Sequence, residues 1–218
     1  MNQVPHTEKF LSRTASIEDI CIDVHNCAVA HGWWESGDRS IEEQRLLFAS
    51  EVLEAFERYR KAPPETMHVE VAEELVDVLI RLYDAYVQGR GSSDTLAFDE
   101  ATDEFIPEME RLPASPSLVA IATWCTGLVS KIDADDLTKS RSDAEIISLL
   151  DDILVGISRM EATSGDTREA GWFRDTVANG TLSVALFCAI HGIDFPTILL
   201  NKMRANWDRP YRHGGRRA

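Results

Sequence analysis

The sequence predicts an all-α fold, and three observations carry that expectation. No stretch alternates apolar and polar residues strongly enough to mark a strand, whereas most of the chain repeats its apolar residues at helical spacing. Ser16 with Asp19 and Ser40 with Glu43 stand three residues apart at the heads of two such stretches, where a side-chain oxygen can satisfy an orphaned amide. Gly32, Pro63-Pro64, Pro113 and Gly192 fall at the ends of the periodic segments, as helix breakers should. A chain of 218 residues, 44% hydrophobic and 27% charged, has the length and composition of a globular domain with a real core.

Residues 1–14 lack a pattern and are expected to form an N-terminal arm. Ile17, Ile20, Cys21, Val24, Ala28 and His31 then make the stripe of a first helix, which Gly32 ends. The polar loop 33–40 opens on Trp33-Trp34; two neighbours cannot both enter one core, so at least one borders a cleft or an interface.

The stretch 46–86 organises the rest. In its first arm Phe48, Val52, Ala55, Phe56 and Tyr59 form an apolar stripe, with Leu47, Glu51, Glu54 and Arg58 beside it. In the second, Val71, Leu75, Val78, Leu82 and Tyr86 are flanked by Glu70, Glu74, Asp77 and Arg81. Lys61-Ala62-Pro63-Pro64 must break the helix between them, because proline lacks an amide donor and clashes with the preceding turn. A short break favours antiparallel neighbours, so the two arms make an αα-hairpin. Residues three apart share a helix face, and Glu51, Glu54, Glu74 and Asp77 would converge. Four acids at the edge of a core repel one another, and a bound divalent cation relieves that. The stretch therefore reads as a magnesium site, against the competing reading that each Glu-x-x-Glu merely lines a solvated face.

Beyond the loop at 89–93, helices are expected over 98–112, 117–132, 142–160, 170–190 and 195–205, with a loop at 163–167. Laid over the acid hairpin, the two middle helices place Gly127, Ser130, Ser148 and Asp151 at the four acid positions. They read as a degenerate repeat of the hairpin that completes a four-helix bundle without metal, or else as two unrelated amphipathic helices. The organisation is thus an arm (1–14), a metal-binding helical segment (15–90), an inserted or degenerate-repeat segment on the same bundle (91–191), and a C-terminal helix with a basic tail (192–218).

Cys21, Cys27, Cys125 and Cys188 are too scattered for a zinc knuckle or a disulfide framework and read as buried reduced thiols. A net charge of −15 argues against binding a nucleic acid polymer. With no signal segment and no apolar run of membrane-spanning length, a cytoplasmic protein without a membrane partner is expected. From Lys202 onward, six Lys or Arg residues oppose one Asp, a basic tail on an acidic body. Such a pair of features invites a ligand that carries both metal and phosphate.

At this point the residues resemble a known family, the MazG-like all-α nucleoside triphosphate pyrophosphohydrolases, related to the dimeric dUTPases and dCTP pyrophosphatases. The likeness rests on Glu51, Glu54, Glu74 and Asp77 within Ser-Glu-Val-Leu-Glu-Ala-Phe and Glu-Glu-Leu-Val-Asp-Val-Leu-Ile-Arg-Leu. It rests also on the C-terminal stretch 201–214, with Lys202, Asn206, Arg209-Pro210-Tyr211 and His213-Gly214. It covers residues 16–88 and 192–218, and roughly a hundred residues between them replace what is a short link in the family.

The resemblance implies magnesium-dependent hydrolysis of a (deoxy)nucleoside triphosphate to the monophosphate and pyrophosphate, in nucleotide-pool housekeeping, by a homodimer. Carboxylates are hard ligands suited to Mg2+, with Mn2+ as a possible substitute. Glu51, Glu54, Glu74 and Asp77 are the implied metal ligands and catalytic acids, and one of them, Glu54 for instance, can take the proton of the attacking water. Lys202, Arg209 and Arg212 are placed by resemblance on the phosphates, with Asn206 and Tyr211 adding neutral hydrogen bonds. His25, Trp33 and Trp34 are candidates for the base pocket, since aromatic faces stack on bases; core packing is the competing reading for each. Arg58, Lys61 and Arg81 lie on the acid stripe and balance charge; family relatives place an aromatic near the Arg81 position. Two other classes compete. A di-iron bundle wants two Glu-x-x-His motifs and only Glu65-Thr66-Met67-His68 qualifies. A non-catalytic all-helical nucleotide-binding or regulatory module fits the loss of acids from half of the bundle.

Overall fold

Caps and breakers written into the chain fix where most helices start and stop. The computed structural model describes residues 12–37, 39–89, 96, 98–105, 110–158 and 167–211. Among these there is no strand, and nine helices follow one another: α1 (Ile17–Ala30), α2 (Ile41–Lys61), α3 (Met67–Gly89), α4 (Phe98–Phe105), α5 (Leu118–Val129), α6 (Ala134–Ser140), α7 (Asp143–Ser158), α8 (Thr167–Ile190) and α9 (Phe195–Trp207). The Ser16 hydroxyl accepts the Asp19 amide at 3.1 Å, and Ser40 accepts that of Glu43 at 3.2 Å, so both expected caps form. Ala62, extended at ψ 148°, closes α2 just ahead of Pro63. The fold is all-α.

The long helix α3 is the axis of the molecule and packs against α1, α2, α8 and α9. Its apolar stripe, including Val71, Leu75, Leu79, Tyr83 and Tyr86, is fully buried. The Tyr83 hydroxyl is bonded at 2.8 Å to Thr181 on α8, which gives the one polar atom of that side chain its partner. The hairpin of α2 and α3 is antiparallel, as two ion pairs show: Arg58 meets Glu74 near the connection, and Glu51 meets Arg81 two turns farther away. All four cysteines are buried and free, and burial pushes the thiols of Cys27, Cys125 and Cys188 up to about 12. No single helix among the described residues is long and apolar enough to cross a membrane.

The middle segment departs from expectation in three ways. The helix expected over 98–112 stops at Phe105, and residues 110–113 are not helical. Helix α6 was not expected, because it buries nothing and so has no apolar stripe; Asp133 caps it by accepting the amides of Asp135 and Asp136. The third is the degenerate repeat. Helix α5 packs on α8 and α9 while α7 packs on α2, so the two do not pair as a second hairpin. Gly89 still belongs to α3; the rest of the loop expected at 89–93 and most of that at 163–167 lie outside the described residues, as do residues 1–11 of the expected arm.

Candidate metal centre

The hairpin brings Glu51 and Glu54 of α2 against Glu74 of α3, with one oxygen of each carboxylate within 4.8 Å of the others. Glu51 and Glu74 are buried and Glu54 is exposed. Buried carboxylates need partners, and the neighbouring stripes supply them. The Arg81 Nε donates to Glu51 Oε1 at 2.9 Å, and Arg58 Nε to Glu74 Oε1 at 3.0 Å. From α9, Lys202 Nζ donates to Asp77 Oδ2 at 2.7 Å and lies 3.7 Å from Glu74 Oε2. Arg58 also stands 3.7 Å from Glu70. Among the described residues no cation forms an ion pair with Glu54.

The charges act on one another's protonation. Glu54 holds its proton more tightly than usual because of partial burial, then because of Glu51 and Glu74, with Arg58 and Arg81 opposing. Asp77 is also raised, by burial first; Lys202 opposes, and Glu51 and Glu74 add to the rise. Burial lowers the Lys202 ammonium, yet Asp77, Glu74 and Glu73 outweigh it and raise it overall. The expected quartet is therefore met by three converging carboxylates, with Asp77 beside them and turned to Lys202.

Next to this cluster the structure gathers residues that the sequence scatters. Asp84, buried on α3, accepts the Trp34 Nε1–H at 3.0 Å and is bonded to His25 Nδ1 at 2.8 Å. Arg39 stacks over the Trp34 ring at 4.8 Å, donates to the Trp33 carbonyl at 3.1 Å and stands 3.8 Å from Asp84. His25 and Trp34 thus share one polar corner, and Trp33 reaches it through its backbone. Asp84 and Arg39 were missed. Asp84 had a signal: it lies seven residues past Asp77, on the same stripe of α3 as Glu74 and Arg81.

The tail divides. Asn206 lines a small cleft with Asp23, Val24, Cys27, Ile80, Met203 and Trp207. Among the described residues its carboxamide oxygen is buried there without a hydrogen-bond partner, and Ile80 lies one turn past Asp77 on α3. The Arg209 side chain is exposed; what the structure fixes is its carbonyl, which accepts His31 Nε2 at 2.8 Å. His31 Nδ1 meets the Cys27 carbonyl at 2.7 Å. Tyr211 lies over Gly32, where φ is +78° and an added Cβ would stand 2.5 Å from its ring. Arg212 lies outside the described residues.

No protein-family model, no curated protein and no solved structure matches this chain.

Proposed function

We propose that this protein is a divalent-metal-dependent nucleoside triphosphate pyrophosphohydrolase that cuts between the α- and β-phosphates to give the monophosphate and pyrophosphate. One observation carries the reading: three carboxylate oxygens from two packed helices lie within 4.8 Å of one another, and a lysine from the last helix reaches the same place. The donor set is wholly carboxylate, without histidine or cysteine, which suits Mg2+ or Mn2+. Glu51, Glu54 and Glu74 would hold the ion, with Asp77 near enough to join. The ion would supply charge neutralisation for the phosphates and a more acidic water.

The chain's own residues divide the remaining work. Glu54 is exposed, lacks a cation partner among the described residues and has a raised affinity for protons, which suits it to take a proton from water. Lys202, beside Asp77 and Glu74, suits a phosphate contact, and Asn206, with an unpartnered carboxamide oxygen in its cleft, suits a polar contact to the nucleoside. The motif likeness to the MazG-like enzymes supports the same reaction, and with it nucleotide-pool housekeeping by a homodimer.

A second reading has an observation behind it. Cations already pair three of the four acids, Glu51, Glu74 and Asp77, so the cluster can belong to a non-catalytic nucleotide-binding module. Pyrophosphate release from a panel of canonical and oxidised nucleotides with Mg2+ decides between them. Release that Glu54→Gln abolishes while the protein stays folded supports the enzyme. No release from any nucleotide supports the module.

A further inference from the structure

Three cations pair with Glu51, Glu74 and Asp77, and they are not equivalent once a divalent ion arrives. Arg58 has a second carboxylate outside the triad, Glu70 at 3.7 Å. Lys202 keeps Asp77 at 2.7 Å. For Arg81, Glu51 is the one ion-pair partner among the described residues. Asp84 stands one turn along α3, but His25, Trp34 and Arg39 surround it.

We propose that Arg81 is a phosphate-binding residue held in reserve: it neutralises Glu51 in the metal-free protein and turns to the terminal phosphates of the substrate when a divalent cation takes Glu51. The proposal rests on the metal reading above. A guanidinium a few ångströms from a dication is repelled unless an anion stands between them, and the polyphosphate that the ion binds is that anion. Arg39 strengthens the case. Its side chain is only 7% exposed, its Nε has no hydrogen-bond partner, and its charge opposes that of Arg81. Asp84 and Glu43 offset part of the Arg39 charge, and what remains repels Arg81, as the incoming metal would. The Arg81 side chain is 31% exposed, so it has room to turn, and its planar fork matches two phosphate oxygens.

Metal and phosphate should respond to Arg81 with opposite signs, a pattern that a merely structural ion pair does not produce. Mn2+ is titrated into the full-length protein without nucleotide, and inorganic tripolyphosphate is then titrated at saturating Mn2+, which removes any dependence on the base. Arg81→Gln is expected to bind Mn2+ about three- to tenfold more tightly and tripolyphosphate about tenfold more weakly. Arg81→Lys restores the wild-type Mn2+ affinity and recovers part of the tripolyphosphate binding; it also serves should Arg81→Gln fold poorly. Tripolyphosphate binding within twofold of wild type, or weakened Mn2+ binding in Arg81→Gln, overturns the proposal. If the wild-type protein takes up no Mn2+, the metal reading itself falls, a result distinct from failure of Arg81 alone.

Discussion

Glu54→Gln separates an acid kept for a ligand from an acid kept for stability, because the two make opposite demands on the metal-free protein. The Glu54 carboxylate lies within 4.8 Å of those of Glu51 and Glu74. Two unit charges at that distance repel by about 0.9 kcal/mol with water-like screening and about 3.5 kcal/mol at an effective dielectric near 20. Glu54 is exposed, so the lower figure applies, and Arg58 and Arg81 cancel part of the two repulsions. Removing the charge should stabilise the metal-free protein by about 1 kcal/mol, about 2–4 °C in Tm for a chain of this length. The sign with pH follows from the raised proton affinity of Glu54. A group bound more tightly to its proton when folded favours folding below its unfolded value, ordinarily 4.5, and that contribution is lost as pH rises through the folded value. The advantage of Glu54→Gln is therefore present at pH 7 and vanishes near pH 4. Thermal denaturation at both pH values, with and without Mg2+, measures it. At pH 7 the wild type should gain stability from Mg2+ and the variant much less. A variant that is less stable than wild type without metal, and equally stabilised by Mg2+, refutes the reasoning.

Three further outcomes follow from the same structure. Because Glu54 and Asp77 are both raised, protons should compete with Mn2+ at a higher pH than for carboxylates at their ordinary 4.5 and 3.8; a Mn2+ titration series whose affinity starts to fall no earlier than for ordinary carboxylates contradicts this. His31→Phe loses the contacts to the Cys27 and Arg209 carbonyls, each worth about 1 kcal/mol, and amide exchange at residues 208 and 209 should quicken while that of α3 holds; unchanged exchange at 208 and 209 counts against the clasp. Gly32→Ala should cost about 1–3 kcal/mol in denaturant unfolding, and Tyr211→Ala in the same chain should recover only the steric share, leaving the cost of the positive φ; full recovery by Tyr211→Ala removes the backbone argument.

The hairpin was legible because its information is local. An i, i+3 acid pair beside an apolar stripe points to one face whatever surrounds it, and Pro63-Pro64 says where the chain turns back. What escaped was set by distant partners. Asp84 acquires its place only when His25, Trp34 and Arg39 arrive from α1 and the loop after it, some 45 to 59 residues earlier. The hold on the tail runs through the Arg209 carbonyl, which every residue type offers, so the identity of the side chain carried no signal. Helix α6 escaped because it buries nothing, and the middle helices misled because an amphipathic pattern says that a face is covered without saying by what.

Along α3, Glu70, Glu74, Asp77, Arg81 and Asp84 mark one stripe of the most buried helix in the fold. Stability alone gives a poor account of it. Buried ion pairs replaced by apolar residues of similar volume are often neutral or stabilising, since removal from water costs each charge several kcal/mol. Among the described residues the stripe also leaves Glu54 across from it without a cation, which is the opposite of an optimised network. If the ladder existed to hold α2 to α3, Arg58 and Arg81 would complete the task by pairing Glu74 and Glu51, and neither Glu54 nor Asp77 would be needed. The two acids beyond those pairs are the ones with raised proton affinity, one open to solvent and the other tied to a lysine from the far end of the chain. The excess of negative charge there, supplied by α2 and α3, is what supports the proposed cation site.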